Sequence, residues 1–184
     1  MLKNILGAFG AGILIMVWQT ASHTFLQMHA VQEQYTPNQD AILKVLSESL
    51  DKQGQYYLPN CPPGTSMEDM EKLMKDNMGK PFASIIFSPK NETNMGSNLL
   101  RGLATNILLG FILAWLMRKL KAQTFRNVLT VSIMVGFISF CFFPYPAFIW
   151  YQTPGIWVEL SDSVAAFTLA GLWLGWWMNR KPEA

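Results

Sequence analysis

The sequence has little charge and almost no cysteine. Charged residues make up 14% of its 184 residues, whereas a soluble globular domain carries roughly a quarter. Two cysteines, Cys61 and Cys141, are too few for a disulfide framework, and their spacing fits no metal-binding motif. We expect two separate thiols, with a bridge between them as the alternative. The composition argues against an ordinary soluble domain.

Motifs of catalysis and of nucleic-acid binding are also missing. The sequence contains no P-loop, no GxGxxG, no GxSxG elbow, no HExxH and no CxxC. Its net charge of +2 is small, and no basic run is interleaved with aromatic residues. We therefore predict that the protein has no catalytic residues and no nucleic-acid partner.

Long apolar runs are what the sequence does contain, and hydrophobic residues make up 51% of it. A helix needs about 20 mostly apolar residues to cross the hydrocarbon core of a bilayer. Four runs qualify, at residues 5–22, 99–117, 128–147 and 164–178. The last is short, and we expect it to recruit residues 157–163, which include Glu159 and Asp162. The predicted fold is mainly α: a four-transmembrane-helix bundle with a small α/β extracytoplasmic insert between helices 1 and 2.

The distribution of basic residues predicts the orientation. Lys and Arg in short loops mark the cytoplasmic side. Basic residues occur at Lys3, between the second and third runs, and in the C-terminal tail at Arg180 and Lys181. The link between the third and fourth runs has only acidic residues. Both termini are therefore predicted to be cytoplasmic. Lys3 before an apolar run also occurs in signal peptides; we expect a retained anchor instead.

This orientation divides the chain into three parts. Residues 1–29 form the first transmembrane helix, and residues 30–97 form the extracytoplasmic segment. Residues 98–184 contain helices two to four, their short loops and a cytoplasmic tail. Aromatic clusters at residues 145–157 and 173–177 match the belts found at the two membrane interfaces.

Small residues one turn apart occur in three of the four predicted helices. Lipid gives helices no hydrophobic reason to associate, so close backbone approach and polar contacts gain importance. The predicted packing positions are Gly7, Gly12, Gly102, Asn106, Gly110, Gly171 and Gly175. Their partners are other helices of this chain or other subunits. Because a four-helix chain needs internal contacts, we expect at least two of the three faces to pack internally.

The extracytoplasmic segment is predicted to contain two helices and two short strands. Capping boxes at residues 36–39 and 65–68 open the helices, and the strands are expected near 55–58 and 82–87. So small a unit has a thin core. We expect it to rest on the outer membrane face, on a partner or on its own copy. In an alternative arrangement, the first membrane helix continues through His29 to Tyr35.

Candidate metal ligands cluster near the outer end of the first helix. His29 and Glu33 share a helical face, but on one continuous helix His23 and His29 would lie about 120° and roughly 9 Å apart. That is poor geometry for one metal shared by both histidines. Glu159 and Asp162 are expected at the same depth and would complete a site with one histidine. Two interpretations stay open: interfacial hydrogen bonding, or a site for a metal ion, haem or quinone.

Two further features have alternative interpretations. A helical stripe of methionines, with Met95 beyond it, comprises Met67, Met70, Met74 and Met78. Thioethers bind Cu(I), but the same spacing serves an apolar core or a partner surface. Arg101, at the outer mouth of the second helix, either pairs with Asp162 or Glu159 or extends its charge to the interface.

The order of several short motifs resembles a group of uncharacterised bacterial four-span inner-membrane proteins. These motifs are Trp18, His23 and His29 in the first helix, then Tyr57-Leu58-Pro59, then Pro81-Phe82-Ala83 before a strand. The resemblance covers about the first 120 residues. It implies a bacterial inner (plasma) membrane with residues 30–97 in the periplasm, and it brings no known activity.

These observations predict a non-catalytic accessory or scaffold subunit of a larger bacterial inner-membrane complex. Its partners would be the lipid bilayer and other integral membrane subunits, or a second copy of the chain. No cofactor is firmly implied. The alternative is a metal- or redox-linked membrane protein that uses copper, haem or quinone at its outer interface.

Overall fold

The computed structural model describes residues 2–122 and 124–180, and the predicted basic residue Lys181 lies outside them. Within these ranges the helices are α1 (Leu2–Thr20), α2 (Gln39–Ser49), α3 (Met67–Asp76), α4 (Met95–Lys119), α5 (Phe125–Phe142), α6 (Pro144–Tyr151) and α7 (Ile156–Asn179). The strands are β1 (Gly54–Leu58) and β2 (Ala83–Phe87). The chain forms two compact units. We call residues up to 34 and from 94 onward the helical unit, and residues 35–93 the inserted module.

Three helical segments of the described residues are long and apolar enough to cross a membrane. They are Leu2–Phe25, Met95–Lys119 and Phe125–Tyr151. The first contains α1 and a π-helical turn, and the third contains α5 and α6. The fourth predicted run lies in α7, which has 24 residues but is not among the three. Two carboxylates and several tryptophans lower its mean hydropathy. The protein is thus mainly helical, with three candidate membrane spans and one small sheet.

Backbone contact joins α1 to α4. A Cβ atom added to Gly12 would lie 2.5 Å from the Cα of Ile107, and one added to Gly110 would meet the carbonyl oxygen of Ala8. Both helices therefore need glycine at this antiparallel crossing, as expected where close approach drives association in lipid. A Cβ atom added to Gly102, which is predicted on the same face, would meet no atom within 4 Å.

Helix α7 packs against both α1 and α5. Gly171 and Gly175 receive Ser132 and Phe125 of α5. The core of the helical unit consists of Ala11, Ile15, Leu113, Met117, Ala122, Val128, Ala166, Ala170 and Leu174. In the helical unit the glycine faces thus pack against other helices of the same chain, apart from the position at Gly102.

The C-terminal end of α7 binds the N-terminal end of α1. The indole nitrogen of Trp173 donates to the carbonyl of Gly7 at 2.9 Å, and that of Trp177 donates to the carbonyl of Lys3 at 2.6 Å. The ring of Trp177 also fills the space above Gly7. These two tryptophans hold helices together, whereas Trp176 is half exposed.

The inserted module consists of an antiparallel hairpin and two helices. Gly54 of β1 lies opposite Phe87 of β2, and Leu58 lies opposite Ala83. Helix α3 begins one residue later than predicted, because Ser66, not Thr65, accepts the backbone N–H of Asp69.

The first helix of the module also begins later than predicted. Asn38 is the N-cap of α2 and makes no side-chain capping bond. The hydroxyl of Thr36 accepts the N–H of Asn38, 3.3 Å away, just before the helix begins. The predicted capping box at residues 36–39 is therefore wrong in position, although Thr36 satisfies a backbone donor there.

The methionine stripe is not part of a core. Helix α3 has no buried residue, and Met67, Met74 and Met78 are 80%, 74% and 79% exposed. The core interpretation of the stripe is wrong, because these side chains are exposed in the folded module. Met95 lies apart from the stripe, in α4.

Candidate functional site

A chain reversal after α1 creates the site. Helix α1 continues as the π-helical turn Ala21–Phe25, and Gln27 then adopts a left-handed conformation with φ 48°. A 3₁₀ turn, Met28–Val31, follows. Left-handed backbone is uncommon for residues other than glycine. The left-handed turn at Gln27 returns His29 to the end of α1. The alternative of a helix continuing through His29 to Tyr35 is therefore wrong.

The reversal brings the two histidines together. Their rings stack with centroids 3.7 Å apart and planes inclined by 17°. A ring nitrogen of His23, a ring nitrogen of His29 and a carboxylate oxygen of Asp162 all lie within 4.8 Å of one another. The expectation of poor geometry for a shared metal was wrong because it assumed one continuous helix.

The Asp162 carboxylate, from the second turn of α7, accepts three hydrogen bonds. Trp18 Nε1 donates to Oδ1 at 3.0 Å, Ser22 Oγ donates to Oδ2 at 2.8 Å, and His29 Nε2 donates to Oδ2 at 2.8 Å. The side chains of His29 and Asp162 are only 8% and 14% exposed. A buried carboxylate of this kind requires several donors, and here they all come from α1 and the turn after it.

Gln32 links this ion pair to a second carboxylate. Its Nε2 donates to Glu159 Oε1 at 2.7 Å and to the carbonyl of Pro154 at 3.2 Å. With its amide nitrogen so engaged, its Oε1 faces His29 and accepts the Nδ1–H at 2.7 Å. Gly155 has φ 79°, and a Cβ there would lie 2.7 Å from Gln32 Cγ. Glycine at this position is therefore needed for the link.

The same contacts set the charge of His29. Burial alone would lower its pKa, but the hydrogen bonds to Gln32 and Asp162, with the negative charges of Asp162 and Glu159, outweigh burial. The pKa of His29 is raised above its ordinary value. An imidazolium fits this geometry, because both ring nitrogens face oxygen acceptors.

An open cavity of about 310 Å³ lies beside the network. Gln32 and Glu159 form its polar wall. Its remaining lining is Phe143, Pro144, Ala147, Thr153 and Pro154. The second carboxylate of the network therefore borders a space that a small molecule or water can enter.

The predicted site residues are only partly assembled. His23, His29 and Asp162 meet directly, and Glu159 joins them through Gln32. Among the described side-chain hydrogen bonds and ion pairs, none connects the Glu33 carboxylate to the cluster, and none connects Arg101 to Asp162 or Glu159; Glu33 contacts His29 through its backbone N–H alone. Arg101 is exposed, and the donors around Asp162 come from α1 and the turn after it.

Sequence reasoning gave no site role to Trp18, Ser22 or Gln32. Trp18 and Ser22 lie in the last five residues of the first apolar run, and Gln32 lies ten residues beyond it. Polar groups near the end of such a run are the one signal that could have indicated them. Ser22 is fully buried, and its Oγ also lies 3.1 Å from His29 Nε2. These residues orient the charged groups and supply the donors that a buried carboxylate requires.

A second polar contact lies deeper between α1 and α4. The predicted packing residue Asn106 is 3% exposed, and its amide nitrogen donates to Gln19 Oε1 at 2.7 Å. The carbonyl of Gln19 in turn lies 3.0 Å from His23 Nδ1. Gln19 therefore contacts both Asn106, in the buried α1–α4 crossing, and His23, at the outer end of α1.

Comparison with protein families, with curated proteins and with solved structures finds no match to this chain.

Proposed function

We propose that this protein is a non-catalytic accessory or scaffold subunit of a larger bacterial inner-membrane complex. The observation that carries the proposal is the exposed apolar surface of the inserted module. Eight of its large apolar side chains are 47–84% exposed: Ile42, Leu43, Val45, Met67, Met74, Met78, Phe82 and Ile86. Apolar surface of this kind marks interaction sites.

The chemistry of the module favours a protein partner over lipid. Helix α3 carries four acidic residues and two lysines, a net charge of −2. Membrane-surface segments are typically basic, because they are attracted to anionic lipid. Methionine side chains are flexible and polarisable, and they are common on adaptable protein-binding surfaces. The stripe Met67, Met70, Met74 and Met78 is thus suited to a groove on another subunit.

We also propose that α7 is the fourth membrane span. It lies antiparallel to α1 over its whole length, with Trp177 at Lys3 and Asp162 at Ser22. Its 24 residues extend about 36 Å, more than the roughly 30 Å of a hydrocarbon core. The basic residues Lys3 and Arg180 then share one end, which is the cytoplasmic end. With the N-terminus at that end, the module between α1 and α4 would lie in the periplasm.

Purification from the native membrane in mild detergent tests the accessory role. We expect the chain to elute in an assembly larger than itself, with other membrane proteins at fixed ratios. Met74→Glu should release those proteins, since it introduces a charge into the stripe. Lys72→Glu is the matched control on the opposite face of α3 and should retain them. A chain that elutes monomeric and alone contradicts the proposal.

A second candidate function is a metal- or redox-linked one. The convergence of His23, His29 and Asp162 favours it. Elemental analysis for copper, iron and zinc, together with an absorption spectrum, tests this candidate. The absence of both stoichiometric metal and a chromophore would exclude it.

A further inference from the structure

We propose that His23, His29 and Asp162 form a binding site for one divalent transition-metal ion of the zinc class. The ligand atoms would be the Nε2 atoms of both histidines and a carboxylate oxygen of Asp162. The proposal deepens the metal-linked candidate function and is independent of the accessory role.

The Nδ1 atom of each histidine faces an oxygen acceptor, which leaves Nε2 as the nitrogen that would bind a metal. His23 Nδ1 lies 3.0 Å from the backbone carbonyl of Gln19, which can only accept, so Nδ1 is the donor of this hydrogen bond. His29 Nδ1 likewise faces an acceptor, the amide oxygen of Gln32. Metal-binding histidines characteristically donate their other ring N–H to an oxygen acceptor, which fixes the tautomer and the ring orientation. Both histidines have this arrangement.

The outer contacts of the site are also in place. Trp18 and Ser22 orient the Asp162 carboxylate, and Glu159 orients Gln32 through a 2.7 Å hydrogen bond. Such supporting residues typically change metal affinity by about 10- to 100-fold. All of them lie in the helical unit. Asp162 and, through Gln32, His29 would therefore be positioned by groups of the folded helical unit.

The distances suit a small ion after a modest adjustment. Tetrahedral zinc, with bonds of about 2.0–2.1 Å, needs ligand atoms roughly 3.3 Å apart. Here one ring nitrogen of each histidine and a carboxylate oxygen of Asp162 lie within 4.8 Å of one another, and His29 Nε2 and Asp162 Oδ2 are 2.8 Å apart. Metal binding would widen the His29–Asp162 pair by roughly 0.5 Å and would turn the exposed His23 ring out of its stack on His29.

The ligand set identifies the class of metal. Two imidazoles and one carboxylate suit zinc, nickel, cobalt and copper(II), whereas copper(I) prefers sulfur and magnesium prefers oxygen. The ion would replace the proton between His29 and Asp162, which passes to solvent. Water would take the fourth position, on the exposed side of His23.

Cobalt(II) titration of the full-length protein tests the site. The protein is purified in detergent with a tag that contains no histidine, treated with a chelator and titrated with Co²⁺, whose visible bands report tetrahedral coordination. Zn²⁺ is then added as a competitor. We expect one Co²⁺ per chain, displaced by one Zn²⁺. His23→Ala should weaken binding at least tenfold.

Two variants secure the interpretation. Glu33→Gln is the matched control, because Glu33 is a nearby candidate ligand outside the cluster, and its affinity should equal that of the original chain. His23→Gln replaces His23→Ala if that variant unfolds, and it too should weaken binding. Binding below one ion per chain, or unchanged affinity in a folded His23 variant, overturns the proposal. If the protein binds the metal but no partner proteins co-purify with it, the result counts only against the accessory role.

Discussion

The helical unit and the inserted module differ in which side chains they bury. In the helical unit a few polar residues are buried with the core, and Ser22, Asn106 and Ser132 among them each have a hydrogen-bond partner. Among residues 35–93, all of which the structure describes, Phe87 is the only buried residue. Most apolar side chains of the module are exposed instead. The helical unit therefore has a core of its own, whereas most of the module's apolar side chains stay uncovered.

The largest effect is expected at the α1–α4 crossing. Gly110→Leu would place a side chain against the backbone of Ala8 and Gly12. Because backbone atoms cannot rotate away, we expect a loss of more than about 3 kcal/mol in the free energy of unfolding. Unfolding in mixed micelles with increasing SDS measures this loss.

Gly102→Leu is the control for this prediction. It makes the same change on the same helix, at a position with no neighbour within 4 Å. Its stability should change by less than about 0.5 kcal/mol. Equal losses for the two variants would show that Gly110 acts through the helix itself and not through the crossing.

A smaller effect is expected for the core of the module. Phe87→Ala removes its one buried side chain and should cost about 3 kcal/mol, enough to unfold so small a unit. Ile86→Ala, at the adjacent and 84% exposed position, should cost under about 0.5 kcal/mol. Amide hydrogen exchange of residues 35–93 distinguishes them. Protection in Phe87→Ala equal to that in Ile86→Ala would mean that the module is stabilised elsewhere.

The smallest effect concerns pH. Since the pKa of His29 is higher in the folded protein than its ordinary 6.5, the folded state binds this proton more tightly than the unfolded state. Its stabilising contribution is complete below 6.5 and is lost as the pH rises through the folded pKa. We expect the melting temperature of chelator-treated protein to fall over that window. Asp162→Asn should flatten the slope, and an equally steep slope in that variant would contradict the assignment.

Sequence patterns predicted the helices well because hydropathy and capping are local. The three candidate spans and the two strands lie within a few residues of their predicted positions, and the cap of α3 was displaced by one residue. The site was harder to predict because it depends on Gln27, whose left-handed backbone leaves no trace in the residue type. The expected separation of His23 and His29 followed from assuming a regular helix there.

The glycine positions show the same division between local and non-local information. Gly12, Gly102 and Gly110 look alike in the sequence. Only the crossing point of α1 and α4 decides that two of them meet backbone and the third meets open space. The exposure of the methionine stripe is also non-local, because its spacing is the same whether or not a second layer covers it.

The pairing of α1 with α7 has a consequence for biosynthesis. The hydrogen bond between Lys3 and Trp177 joins residues 174 positions apart, and the bond between Ser22 and Asp162 joins residues 140 apart. At translation rates of about 5–20 residues per second, α1 leaves the ribosome on the order of ten seconds or more before α7. During that interval the Trp18 indole and the Ser22 hydroxyl lack the Asp162 carboxylate to which they donate in the folded protein. The first helix to be synthesised is thus among the last to complete its hydrogen bonds.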